Sequence, residues 1–216
     1  MLSDSDFEVL SSDPLVVLIH NFVTSLEADA LISAAETKFK RSTVVCDEPG
    51  GCLDSRRTSE SAHLGYDARF EPIRQRAREL SGLDTCETIQ VVRYYEGQEF
   101  RPHLDAFDPK TAEGAREIRT GGQRGATFLV YLQDPEAGGA TVFPEIGLSV
   151  APERLAAVFW RHQRKGSQAL DKRTLHGGAP VLKGRKIAAN IWLRQPRVRY
   201  ATQINEQLAP MPRLIF

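Results

Sequence analysis

Apolar positions recur with two different periods along the chain, and the change falls near residue 86. Upstream, Leu26, Ala30, Leu31, Ala34 and Ala35 recur at helical spacing behind Thr24 and Glu27, which have the form of a capping box, so a helix is predicted over 25–39. A second set, Phe70, Ile73, Ala77 and Leu80, predicts a helix from about residue 67 to Gly82, where glycine suits a C-terminal stop. Downstream, short runs rich in Val, Ile, Thr and aromatic residues are separated by Gly, Pro and Asp clusters, predicting strands at 88–95, 126–133, 140–143, 155–162 and 186–194. Helical spacing is not evident between these runs, which argues against parallel βαβ units and for an antiparallel barrel or jelly roll. Residues 108–123, charged and poor in apolar side chains, read as a mobile loop. The expected fold class is therefore α+β in a single domain: a helical support over about 1–85, a β-barrel core over about 86–195, and an extension over 196–216 whose apolar end suggests docking.

Composition narrows the classes. The 216 residues are 41% hydrophobic and 26% charged, ordinary globular values that exclude a disordered chain or a collagen-like repeat. The run Leu15 to Ile19 is too short to cross a membrane, and the acidic start lacks the basic and apolar regions of a secretory signal, so a cytoplasmic location is expected. Twenty-eight basic residues balance twenty-eight acidic ones, which speaks against nucleic acid as a partner. Three cysteines are too few for a disulfide framework; Cys46 and Cys52 face each other across a short loop, but a reducing cytosol favours free thiols.

The candidate chemistry begins at His103 and Asp105, two residues apart after a predicted strand, where an extended chain turns both to one face. His176 is the best distant third ligand. Two histidines and a carboxylate on one face of an octahedron leave three positions open, the arrangement of non-haem Fe(II) oxygenases. His20 and His63 read as surface residues and His162 as structural. In 186–194, alternation puts Ile187, Ala189, Ile191 and Leu193 on a core face and Lys186, Ala188, Asn190 and Trp192 on the other. A lysine inside a barrel calls for an anion, and a dicarboxylate cosubstrate would supply one.

The segments QVVRYYEGQEFRPHLD, GGQRGATFLVYL, GGATVFPE and LHGGAPVLKGRK resemble, in order and spacing, the catalytic domain of the prolyl 4-hydroxylase branch of the 2-oxoglutarate- and Fe(II)-dependent dioxygenases, and RRTSESAHL resembles that family's RTS segment. The resemblance covers about 44–194. It implies a double-stranded β-helix (jelly-roll) core, Fe(II) held by His103, Asp105 and His176, and 2-oxoglutarate held by Lys186, Tyr94 and a pocket lined by Thr127. It further implies O2 as co-reactant, ascorbate as an accessory reductant, and Arg57 and Trp192 near the substrate, with 45–56 as a flexible lid. Phe100 stands where the family usually has tyrosine, and Ile187 where tryptophan is common, departures that bear on the substrate. The expected reaction is hydroxylation of a prolyl residue in a peptide or protein. Three rivals remain at this point: hydroxylation of a free amino acid or small metabolite, a zinc hydrolase on the same ligands, and a metal-binding barrel without turnover. Arg93, Arg101, Arg116, Arg119 and Arg124 surround the predicted mouth.

Overall fold

The computed structural model describes residues 2–46, 48, 51–167 and 169–195. Its strands are β1 (Phe7–Ser12), β2 (Leu15–Ile19), β3 (Lys40–Arg41), β4 (Glu60–His63), β5 (Thr85–Cys86), β6 (Gln90–Tyr94), β7 (Phe100–His103) and β8 (Arg124–Gln133). They continue as β9 (Ala137–Gly138), β10 (Thr141–Phe143), β11 (Leu148–Val150), β12 (Ala157–Arg161), β13 (His176–Gly178), β14 (Val181–Lys183) and β15 (Lys186–Arg194). Three helices accompany them: α1 (Ser25–Ala35), α2 (Glu71–Ser81) and α3 (Ala112–Gly121). A major sheet runs β1-β2-β12-β8-β15-β6-β4-β3 with β5 on β15, and a minor sheet runs β11-β10-β13-β7, with antiparallel pairing in both. This is the α+β jelly-roll architecture.

The period of two decides what each central strand faces. From β15, Ile187, Ala189, Ile191 and Leu193 join Ala126, Phe128, Val130 and Leu132 of β8 in a core packed under Ala28 and Leu31 of α1 and Ile73 and Ala77 of α2. The alternate positions, including Tyr131 of β8, Val158 and Trp160 of β12 and Ala188 of β15, meet Phe143 and Val150 of the minor sheet in a second core. Helices thus seal one face of the major sheet while the other becomes the inside of the roll. Phe128, fully buried and against Phe22 and Phe159 at 5.2 and 4.7 Å, belongs to the first core. Phe128→Ala is expected to cost about 3–5 kcal/mol of stability by urea unfolding, whereas a loss under about 1 kcal/mol would contradict this packing.

Local signals explain the helix ends. The Thr24 hydroxyl accepts from Glu27 N, and Glu27 Oε2 accepts from Thr24 N, closing the capping box. α1 ends at Ala35, short of the expected residue 39, because Lys38 N turns back to Ala35 O and Phe39 leaves to pack on the core under the Arg93 guanidinium. α2 stops where Gly82 takes φ +67° and donates to Arg78 O.

Two expectations need correction. Residues 108–123 are not a mobile loop throughout: α3 fills most of them, capped by Thr111 accepting from Gly114 N. Its anchor is ionic, which is why apolar content gave no signal; Arg194 pairs with Glu117 Oε2 at 2.9 Å and also donates to the Glu117 and Gly122 carbonyls. Cys46 and Cys52 are disulfide-bonded, with an antiparallel bridge between Val44 and Cys52 beside them. Gly51, at φ +83°, lets the chain reverse there and brings the two cysteines within bonding reach. The apolar end over 198–216, expected to dock, lies outside the described residues. Among those described, no helix is long and apolar enough to cross a membrane.

Candidate active site

β7 and β13 are neighbours in the minor sheet, and their register sets His176 opposite His103. Asp105 follows two residues beyond the end of β7. His103 Nε2 lies 3.7 Å from Asp105 Oδ1, and His176 Nε2 lies 3.6 Å from Asp105 Oδ2. The three ligand atoms fall within 4.8 Å of one another. Each imidazole has its other nitrogen at a carbonyl, His103 Nδ1 at Arg101 O and His176 Nδ1 at Thr174 O, both 3.0 Å. A carbonyl only accepts, so both Nδ1 atoms carry a proton and both Nε2 atoms turn toward Asp105. Rings pack against both: Phe100 stacks on His103 at 3.6 Å, and Trp160 lies tilted against His176 at 4.4 Å.

The charge states match. Burial pushes His176 down to about 4, so it is neutral near pH 7. Burial opposes ionisation of Asp105, yet His176 and His103 beside it hold its carboxyl well below the usual carboxylate range. Two imidazole Nε2 atoms and one ionised carboxylate converging within 4.8 Å suit a divalent ion of borderline softness, whose binding displaces any proton between them. The chemistry of the donor set fits Fe(II).

The site opens into a cavity of about 520 Å³ whose wall includes Tyr94, Leu129, Thr141, Trp160, Lys186 and Trp192. Lys186 opens β15 opposite Tyr94 of β6, and its ammonium donates to Gly139 O at 2.6 Å beside the rings of Tyr94 and Tyr131. Burial pushes its pKa down to about 7. Tyr131, read from sequence as core, is buried with its hydroxyl 2.8 Å from Thr141 Oγ1. Thr127, expected to line the cosubstrate pocket, has its hydroxyl 2.6 Å from Asp105 Oδ2, to which it donates, and 2.8 Å from His162 Nε2.

On the far wall, Arg57 is buried, donates to Thr43 O and Gln90 Oε1, and lies over the Phe100 ring at 4.7 Å. Asn190 shares Gln90 Oε1 at 3.2 Å. Trp192 faces the cavity under the Arg124 guanidinium at 3.8 Å, and its indole nitrogen is buried without a partner among the described residues. Of the five arginines expected at the mouth, Arg101 and Arg124 line the cavity; Arg93 is drawn off by Glu36 and Glu60, Arg116 by Glu113, and Arg119 is exposed on α3 away from the wall. His63, expected as a plain surface residue, lies on the wall 3.1 Å from Gln90 Nε2, while His20 pairs with Glu153.

Gln90, Asn190 and His162 carry no motif of their own. Alternation was the available signal, since Asn190 follows Lys186 by an even step and His162 follows Trp160 likewise.

A jelly roll with two histidines and a carboxylate between its sheets, and a lysine deep in the same cavity, defines the class of keto-acid-dependent non-haem iron oxygenases. Sequence comparison agrees: residues 89–194 match the 2OG-Fe(II) oxygenase superfamily. Prolyl 4-hydroxylase 5 of Arabidopsis thaliana is 38% identical over 86% of this chain and 70% of its own length. The human prolyl 4-hydroxylase subunit alpha-1 is 36% identical over 84% of this chain, though that stretch is only 35% of the longer subunit. Among solved structures, the viral collagen prolyl hydroxylase of Paramecium Bursaria Chlorella virus-1, in complex with 2-oxoglutarate, matches with a TM-score of 0.66 and 31% identity over 84% of this chain and 96% of that one. The chain belongs to the prolyl 4-hydroxylase family of 2-oxoglutarate- and Fe(II)-dependent dioxygenases. It is a dioxygenase whose cofactors are Fe(II), 2-oxoglutarate and O2, which sets aside the zinc-hydrolase and non-catalytic readings.

Proposed function

We propose that this enzyme hydroxylates a prolyl residue within a peptide or protein, with His103, Asp105 and His176 holding Fe(II) and Lys186 anchoring 2-oxoglutarate. The observation that carries the reading is the convergence of two Nε2 atoms and one carboxylate in the cavity that also holds a buried lysine with no salt-bridge partner among the described residues. When bound, Fe(II) with 2-oxoglutarate and O2 supplies the oxidising power to attack an unactivated C–H bond. The chain's own residues do the rest. Carbonyl contacts at both Nδ1 atoms fix the ring orientation that presents Nε2 to the metal, and the Phe100 and Trp160 rings pack against the imidazoles. Lys186 meets the far carboxylate of the cosubstrate, with the Tyr94 hydroxyl beside it, and Arg57 and Trp192 face the peptide. Ascorbate serves as the accessory reductant that keeps the iron ferrous.

Succinate formation with proline-containing peptides, against free proline and other free amino acids, tests the substrate. A mass gain of one oxygen on a peptidyl proline supports the proposal; turnover confined to free amino acids overturns it in favour of the small-metabolite reading.

The lysine also predicts a pH dependence. In the free enzyme burial brings Lys186 down to about 7, and a bound carboxylate favours the ammonium form, so binding above that pH takes up a proton. Cosubstrate affinity should be highest below about pH 7 and weaken above it, by up to about tenfold per unit. Isothermal titration in buffers of different ionisation heat would show the proton uptake at pH 8; none would mean that Lys186 is already charged.

A further inference from the structure

Asp105 lies past the last residue of β7, yet it is held at several points by the start of β8. Gln123, just before β8, brackets Phe107, accepting from its N at 2.8 Å and donating to its O at 2.9 Å. Arg124 donates to the Asp105 carbonyl at 3.3 Å, and its guanidinium is itself fixed by Glu87. Thr127, fully buried, closes the set by donating to the carboxylate oxygen Oδ2 at 2.6 Å. An ionised carboxylate only accepts, so at this contact Thr127 is the donor and its single hydroxyl proton is drawn to Asp105 rather than toward the cavity. Behind it the His162 ring, 2% exposed, turns Nδ1 to Arg124 O at 3.1 Å and Nε2 to the same hydroxyl at 2.8 Å, so two acceptors bracket Thr127 and Asp105 Oδ2 is the closer and the charged one.

We propose that Thr127, with His162 behind it, is a positioning residue for the metal-binding carboxylate: its bond to Oδ2 fixes the orientation in which Asp105 would be presented to the metal. The role differs from the pocket lining that the family resemblance implies for this threonine, and it rests on the reading of His103, Asp105 and His176 as the metal site. Outer partners of this kind fix a ligand's orientation and are felt in metal affinity before they are felt in substrate binding.

The test is Co(II) affinity, by chelator competition on the full chain, together with the KM for 2-oxoglutarate at saturating Fe(II). Thr127→Val keeps the buried volume and removes only the donor. It is expected to weaken Co(II) binding by about 10–100-fold with the KM for 2-oxoglutarate unchanged. Thr127→Ser, which restores the hydroxyl, is expected to retain parental affinity. The visible absorption of bound Co(II) should shift in Thr127→Val and not in Thr127→Ser. The reverse split, a raised KM with Co(II) affinity intact, or no change in either, overturns the proposal and returns Thr127 to the cosubstrate pocket. Should the valine variant fail to fold, Thr127→Ala against Thr127→Ser makes the same comparison. His103→Ala, measured alongside, separates the two claims: parental Co(II) affinity in that variant would defeat the triad itself rather than the role of Thr127.

Discussion

Replacing His176 with alanine is expected to reduce succinate formation coupled to O2 uptake to background, at least about a hundredfold below the parent, while the fold survives. The arithmetic follows from the donor set. With one of two imidazole lone pairs gone, His103 and Asp105 are left as a two-point site, and a divalent ion is held far more weakly by two ligands than by three. The fold should survive because His176 lies between the sheets under Trp160 and Phe143 and supplies no part of the core against the helices. His103→Ala and Asp105→Ala should behave alike. Circular dichroism would confirm folding, and near-parental turnover in any one variant would mean that its residue is not a ligand.

The second large effect is expected at Lys186. Lys186→Ala removes a charge-assisted contact of about 1.5–3 kcal/mol, so the KM for 2-oxoglutarate should rise about ten- to hundredfold. The neighbouring cations are poor substitutes. Arg194 is committed to Glu87 and Glu117, and Arg185 donates to Gln133 Oε1. An unchanged KM would nevertheless move the anchor to one of them. Since the lysine is 3% exposed, the loss should be specific to the cosubstrate, with Fe(II) affinity preserved.

Much of this site was readable because its parts sit on regular strands. Alternation along β15 placed Lys186, Asn190 and Trp192 on one face and the aliphatic set on the other, and both faces are found as read. His103 and Asp105, two apart at a strand end, share a side by the same rule. The partnership with His176 could not come from periodicity, since it depends on the register between β7 and β13, which joins segments more than seventy residues apart. Order and spacing of the family motifs supplied it instead.

What escaped has a common physical cause. α3 is held by Arg194 and Glu117 rather than by an apolar stripe, so a reading based on apolar spacing missed it. Gln90 and His162 act through hydrogen bonds whose partners lie on other strands. Thr127 is the instructive case: residue type and position suggested a pocket wall, and only the structure shows its hydroxyl 2.6 Å from Asp105 Oδ2.

The most direct measurement is anaerobic addition of Fe(II) and 2-oxoglutarate to the parent and to His176→Ala, following the weak visible charge-transfer band of an iron-chelated keto acid. The account predicts a band in the parent that bleaches on admission of O2, and none in the variant. A band of equal strength in both, or no band in a parent that retains Fe(II), would contradict it.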